Sequence, residues 1–288
     1  MINLKSKEEI KKMRQGGEIL ASVLSELLQN IKPGVSEIEI DKLAEKLIRS
    51  KGAEPGFKKV EGYKYSICVS TNNAVVHGIP TNYKFKNGDI VGIDCGVFFK
   101  GFHTDMAETI IVDAEVASEN FRVHKAGDLG LKSKKVVSAN AHSKNFASSP
   151  RQNYDLLITF LQTGKKALGE AIKVAKVGNR VGNISETIQN IIESKGYSVV
   201  RSLVGHGVGK KLHEEPEIPG FLTSKVAKTP LLSEGMAIAI EAIYNMGKSD
   251  VILSRDDNWT IKTADGSISG LFERTIAITK EGPVILTK

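Results

Sequence analysis

Two stretches of this 288-residue chain read as copies of one another. KPGVSEIEIDKLAEKLIRSKG (32–52) aligns without a gap on KVGNRVGNISETIQNIIESKG (176–196), an offset of 144 (176 − 32). Lys32 with Lys176, Gly34 with Gly178, Ile40 with Ile184, Ile48 with Ile192 and the closing Ser-Lys-Gly coincide. Seven identities in 21 is a modest score, since helical sequence draws on few residue types. Context strengthens it, because each copy follows a long amphipathic stretch and precedes a strand-rich one. Ser6 and Glu9 have the spacing of a capping box, and Ile10, Met13, Leu20, Leu24 and Leu27 then share one helix face. The matching helix of the second copy is predicted over about 154–176, and Gly52 and Gly196 read as C-terminal stops. A duplicated helix-and-strand unit predicts two α/β halves packed about a pseudo-twofold axis, with a site between them.

The halves are separated by residues 114–153, rich in Ser, Ala, Asn and Lys. With seven Lys or Arg against three acidic residues, this segment holds +4 of the chain's net charge of +7. It reads as a partly ordered basic insertion in a single domain spanning 1–288. An interdomain linker is the competing reading, disfavoured because each half needs the other to bury its sheet. No run of about 18 apolar residues exists to span a membrane, and MINLKSKEEIKKM lacks the apolar centre of a signal peptide. Two cysteines, Cys68 and Cys95, lie in apolar runs with no CxxC, which suits a reduced cytoplasm and no structural zinc. The basic balance fits a solvated surface, or work close to RNA.

GIDCGVFFKGFHTDMAET (92–109) reads as a hairpin turning at Lys100-Gly101, with Asp94 and Asp105 inside apolar strands. Residues facing each other across that turn sum to 201, so Asp105 opposes Gly96 and shares a face with Asp94. Two acids on one face could be a solvated edge; buried and unpaired, they would cost several kcal/mol. Three more candidates follow downstream. His206 lies between glycines in GHGVGKKLHEEPEIPG, Glu241 is mid-strand in MAIAIEAIYN, and Glu273 is mid-strand in GLFERTIAIT. Four carboxylates and one imidazole suit a pair of hard divalent cations such as Mn²⁺, Fe²⁺ or Co²⁺.

With these residues and the stretches STNNAVVHGIP (70–80), GHGVGKKLHEEPEIP and DDNWTIKTADGSISG (256–270), the chain resembles the type I methionine aminopeptidases of the pita-bread metallopeptidases. The resemblance covers nearly the whole chain outside 114–153. It implies an α+β pita-bread fold, two pseudo-symmetric halves around an antiparallel sheet, and a dinuclear site of Co²⁺, Mn²⁺, Fe²⁺ or Zn²⁺. It further implies that Asp94 binds one metal, His206 and Glu241 the other, and that Asp105 and Glu273 bridge them. A bridging water would attack the carbonyl after the first residue, Glu241 would move the proton, His213 would hydrogen-bond the scissile carbonyl, and His77 the amide beyond it. Tyr63, Cys68, Leu212 and Trp259, with Phe57 nearby, would hold the methionine side chain. The expected substrates are N-termini of nascent chains whose second residue is small, handled by a cytoplasmic monomer that reaches the ribosome through the basic insertion and has no membrane partner. Prolidases share the five ligands but usually carry an extra N-terminal domain, and type II relatives carry a long insertion where His206 and Glu241 stand 35 apart (241 − 206). Pita-bread proteins that lost their metals and bind RNA or protein are the non-enzymatic alternative. Leu212, Ala242, Leu271 and Arg274 depart from common family residues.

Overall fold

The computed structural model describes residues 2–112 and 150–288, so the proposed insertion lies outside the described residues except for its last four. The first half runs α1 (Lys7–Asn30), α2 (Glu37–Ser50), β1 (Glu54–Pro55), β2 (Ile67–Thr71), β3 (Ala74–Val76), β4 (Ile90–Phe99) and β5 (Phe102–Ile111). The second runs α3 (Pro150–Val174), α4 (Val181–Glu193), β6 (Ser198–Val199), β7 (Val204–Gly207), β8 (Glu214–Pro219), β9 (Ala237–Asn245), β10 (Val251–Leu253), β11 (Ile261–Thr263), β12 (Ser269–Thr279) and β13 (Gly282–Ile285). The expected capping box is present at α1, where Ser6 Oγ accepts from Glu9 N–H and Glu9 Oε2 from Ser6 N–H. The described part of α3 begins at Pro150, four residues before the predicted position.

One antiparallel sheet dominates, in the order β1-β4-β5-β12-β9-β7-β8, with β2 beside β4, β6 beside β9 and β13 beside β12. Strand alternation sorts its two faces. Val91, Ile93, Cys95 and Val97 of β4 turn toward α1 and α2, while Ile238, Ile240, Ala242 and Tyr244 of β9 turn toward α3 and α4. Each half therefore has its own apolar core on the helix side, and the residues between these in sequence look out of the opposite face. A smaller sheet, β10-β11-β3, borders that second face.

The duplication read from sequence is visible in the backbone. Gly34 and Gly178 both have φ of +90°, and Gly52 and Gly196, the predicted stops, have +73° and +78°. Where the halves meet, β5 pairs with β12 only at Ala107–Glu273 and Met106–Arg274. A threonine hydroxyl takes over the pairing at each end. Thr275 Oγ1 accepts from Asp105 N–H (2.9 Å) and donates to Asp105 O (2.8 Å). Thr109 Oγ1 does the same for Leu271, at 3.0 and 2.7 Å. The two clamps are related by one offset of 166 (275 − 109 and 271 − 105), as a twofold axis between the strands requires.

Candidate metal centre and substrate cavity

The hairpin forms at the expected register. Lys100 and Gly101 take φ of 49° and 86°, and Gly96 opposes Asp105. Neighbouring strands then set Cys68, Asp94, Ala107, Glu273 and Glu241 side by side in one row across the sheet. Asp105 stands two residues from Ala107, and His206 opposes Ala239, two residues from Glu241. Strand alternation alone thus turns all five expected ligands out of the face that the helices do not cover.

Donor atoms of Asp105, His206 and Glu273 lie within 4.8 Å of one another. Glu241 Oε1 is 3.6 Å and Asp105 Oδ2 3.9 Å from His206 Nε2. His206 Nδ1 stands 2.8 Å from Gly207 O, a contact that requires its hydrogen there and leaves the Nε2 lone pair facing the carboxylates. The glycines beside His206 have a different cause from ligand approach. A Cβ on Gly205 would lie 2.5 Å from Ala239 O, and one on Gly207 2.2 Å from Glu215 O, so both are needed to seat β7 between β9 and β8.

The electrostatics ask for a cation. Burial pushes Asp94 up to about 7, and burial followed by carboxylate repulsion holds Asp105, Glu241 and Glu273 well above the usual range. Burial also brings His206 down to about 4, so the imidazole is neutral and able to ligate. Asp94 Oδ1 and Glu273 Oε1 are buried with no hydrogen-bond partner. Unpaired carboxylate oxygens beside a neutral imidazole fit a divalent cation, whose charge reverses the penalty on the ionised acids.

The cluster is the floor of a cavity of about 840 Å³ that every residue named above as a ligand, catalytic group or pocket wall lines. Phe57, Tyr63, Cys68 and Leu212 form one apolar cluster with Trp259 packed on it; the Tyr63 and Trp259 rings meet edge to face at 5.2 Å. The Tyr63 hydroxyl bridges Ile67 O (2.8 Å) and Cys68 Sγ (3.2 Å). His213 stacks edgewise on His206 at 4.4 Å. His77 has φ of 55°, a strained conformation of the kind found where a side chain must be aimed. Asn3, Ser202, Leu203, Val76 and Ile243 also line the cavity and were not anticipated. For Val76 and Ile243 a signal existed, since they neighbour His77 and share Glu241's strand face; Asn3 gives none.

Among the departures, Leu212 closes the pocket cluster, and Leu271 and Ala242 are buried. Arg274 points to the other face, donating to Glu108 Oε2 (2.7 Å), Ala107 O (3.0 Å) and Glu273 O (2.7 Å).

The sequence profile of metallopeptidase family M24 matches residues 11–144 and 146–280. Methionine aminopeptidase of Clostridium perfringens is 39% identical over 287 residues, covering 100% of this chain and 99% of that protein. Methionine aminopeptidase 1 of Bacillus subtilis is 38% identical, covering 100% of both. The crystal structure of the Thermotoga maritima methionine aminopeptidase superposes with a TM-score of 0.82 at 35% identity, covering all of both chains. A prolidase from Pyrococcus horikoshii (TM-score 0.68, 23% identity) shares the fold over 99% of this chain but only 63% of its own. With these likenesses, full length and on the methionine aminopeptidase side, the chain belongs to metallopeptidase family M24.

Proposed function

We propose that the chain removes the N-terminal methionine from nascent proteins and peptides whose second residue is small. The observation that carries this is one cavity combining a carboxylate-rich cation site with an apolar, thiol- and aromatic-lined wall. The full-length likeness to proteins named methionine aminopeptidase supports it. Asp94, Asp105, His206, Glu241 and Glu273 would hold two divalent ions among Co²⁺, Mn²⁺, Fe²⁺ and Zn²⁺. When bound, such ions act as Lewis acids, polarising a carbonyl and lowering the pKa of water.

The side chains divide the remaining work. Glu241 carries the proton from the attacking water toward the leaving amine. His213, at the cavity mouth beside His206, donates to the scissile carbonyl oxygen as negative charge develops there. His77 contacts the amide beyond it. Tyr63, Cys68, Leu212 and Trp259 accept a slim thioether, for which soft sulfur and aromatic edges are good partners. A charged first residue would be buried there unpaired at a cost of several kcal/mol. The second residue would lie close to the proposed metal ligands and His77, so Gly, Ala or Ser is accepted and Leu or Phe rejected.

The chain acts as one catalytic domain, a cytoplasmic monomer; no helix among the described residues is long and apolar enough to cross a membrane. Its basic 114–153 segment is the proposed contact with the ribosome. Hydrolysis of Met-Ala-Ser, Met-Ile-Ser, Leu-Ala-Ser and Lys-Ala-Ser, with each metal supplied in turn to chelated protein, tests the reading. Cleavage of Met-Ala-Ser well ahead of the others is expected; equal cleavage of Lys-Ala-Ser would make this a broad aminopeptidase. Glu241→Ala should fold and be inactive.

A further inference from the structure

The segment before α1 carries a lysine, Lys5, whose head group is buried. The Lys5 and Glu214 side chains are 5% and 4% exposed, and Nζ lies 2.7 Å from Oε2. Lys5 Nζ also donates to Asn3 O (2.8 Å), and Lys5 N–H donates to Gly235 O (2.7 Å), so the segment is fixed at both its backbone and its side chain. Glu214 is the first residue of β8 and takes a second hydrogen bond through Oε1 from Lys211 N–H (3.1 Å). The loop from Val208 to His213 is thereby drawn into a tight turn, closed by Gly209 N–H on Lys211 O (3.0 Å) and by His103 N–H on Gly209 O (2.7 Å). Gly209 leaves room for the pair: a Cβ there would meet Lys5 Cε at 2.6 Å and Glu214 Oε1 at 2.7 Å.

That turn carries Leu212 and His213, one a wall of the side-chain pocket and the other stacked on His206. Asn3, two residues before Lys5, lines the same cavity. A buried ion pair adds little net stability compared with apolar residues of the same volume, but removing one partner strands a charge. The pair therefore selects one arrangement of the turn.

We propose that Lys5 is a positioning residue: residues 2–5 form a strap that, through Glu214, fixes where the 208–213 turn presents Leu212 and His213 to the substrate. This rests on the reading of His213 as a group that contacts the scissile carbonyl. His206 is on β7, before the turn, and its backbone is paired with β8 and β9, so the strap bears first on Leu212 and His213 and not on the strand that carries this proposed ligand.

Three variants test it in the full chain: Lys5→Met, Glu214→Gln, which keeps shape and an acceptor, and the two combined. With Met-Ala-Ser, each single variant should lose roughly 10- to 100-fold in kcat, the scale of a small misplacement of a catalytic group, with KM nearly unchanged. The double variant should lose no more than the worse single one. Calorimetric titration of chelated protein should give a wild-type metal affinity. Trypsin should cut the native variants after the exposed Lys210 or Lys211 faster than it cuts the wild type. Wild-type kcat and tryptic cleavage rate in a folded Lys5→Met or Glu214→Gln would overturn the proposal. So would loss of metal affinity and melting temperature in step with activity, the mark of a merely structural pair. Should the wild type cleave no methionine peptide, the function falls, while the tryptic pattern still decides whether the strap holds the turn.

Discussion

A single carboxylate on α2 shows how remote residues shape the cavity. Asp41 is buried, and its Oδ1 accepts from Ser66 N–H (2.7 Å) and Ile67 N–H (3.2 Å), fixing the start of β2 just before Cys68. Burial raises its pKa, and the two N–H donors only partly offset this. With the folded pKa above the unfolded value near 4, the native state binds more protons between the two, so this residue's contribution falls as pH rises through that window. Asp41→Asn keeps the accepting oxygen and sheds the charge. It should match wild type near pH 4 and become the more stable protein by pH 7 in urea melts. Asp41→Ala orphans two buried N–H groups and should lose about 1–3 kcal/mol. An advantage for aspartate that grew with pH would reverse the sign of this account. In the sequence, Asp41 was one polar residue on a helix, and nothing in a periodicity of 3.6 reveals that its partners lie 25 and 26 positions away.

Between strands, the same contrast explains what could be read and what could not. The hairpin register was legible because a two-residue turn fixes the pairing and alternation fixes the faces, so Asp94 and Asp105 could be set together from local sequence. The seam between β5 and β12 was not, since it depends on pairing across 166 residues and on hydroxyls standing in for ladder hydrogen bonds. Its two clamps make a controlled comparison. Thr275→Val and Thr109→Val each leave a buried N–H and C=O unpaired, and each should cost about 1–3 kcal/mol of stability. Only the first frees the backbone of Asp105, a proposed ligand. Thr275→Val should therefore also weaken metal binding by calorimetric titration, while Thr109→Val leaves it unchanged. Equal affinities in the two would show that the clamp holds the fold and not the ligand.

For the molecule as a whole, the proposed ligands come from both halves, Asp94 and Asp105 from the first and His206, Glu241 and Glu273 from the second. A cation bound there ties the halves across their narrow seam. Chelation should lower the melting temperature reversibly, and free metal at 100 times its Kd should restore about 2.7 kcal/mol. The described lining of the cavity comes from residues on both sides of 113–149 in the chain. The chain is tied down just before that segment, where Val112 N–H donates to Asp89 O (2.8 Å) and Val112 O accepts from Gly88 N–H (2.7 Å). Replacing 115–148 with a short Gly-Ser linker removes six Lys or Arg and three acidic residues, taking the net charge from +7 to +4 (7 − 3). That variant should keep its metal affinity and its rate on Met-Ala-Ser. Retention on immobilised ribosomal RNA at low salt should fall, since contacts to phosphate are lost and such contacts weaken steeply with added ions. A folded deletion variant with no small-peptide activity would make the segment part of the site, and undiminished RNA retention would move the basic contact elsewhere on the surface.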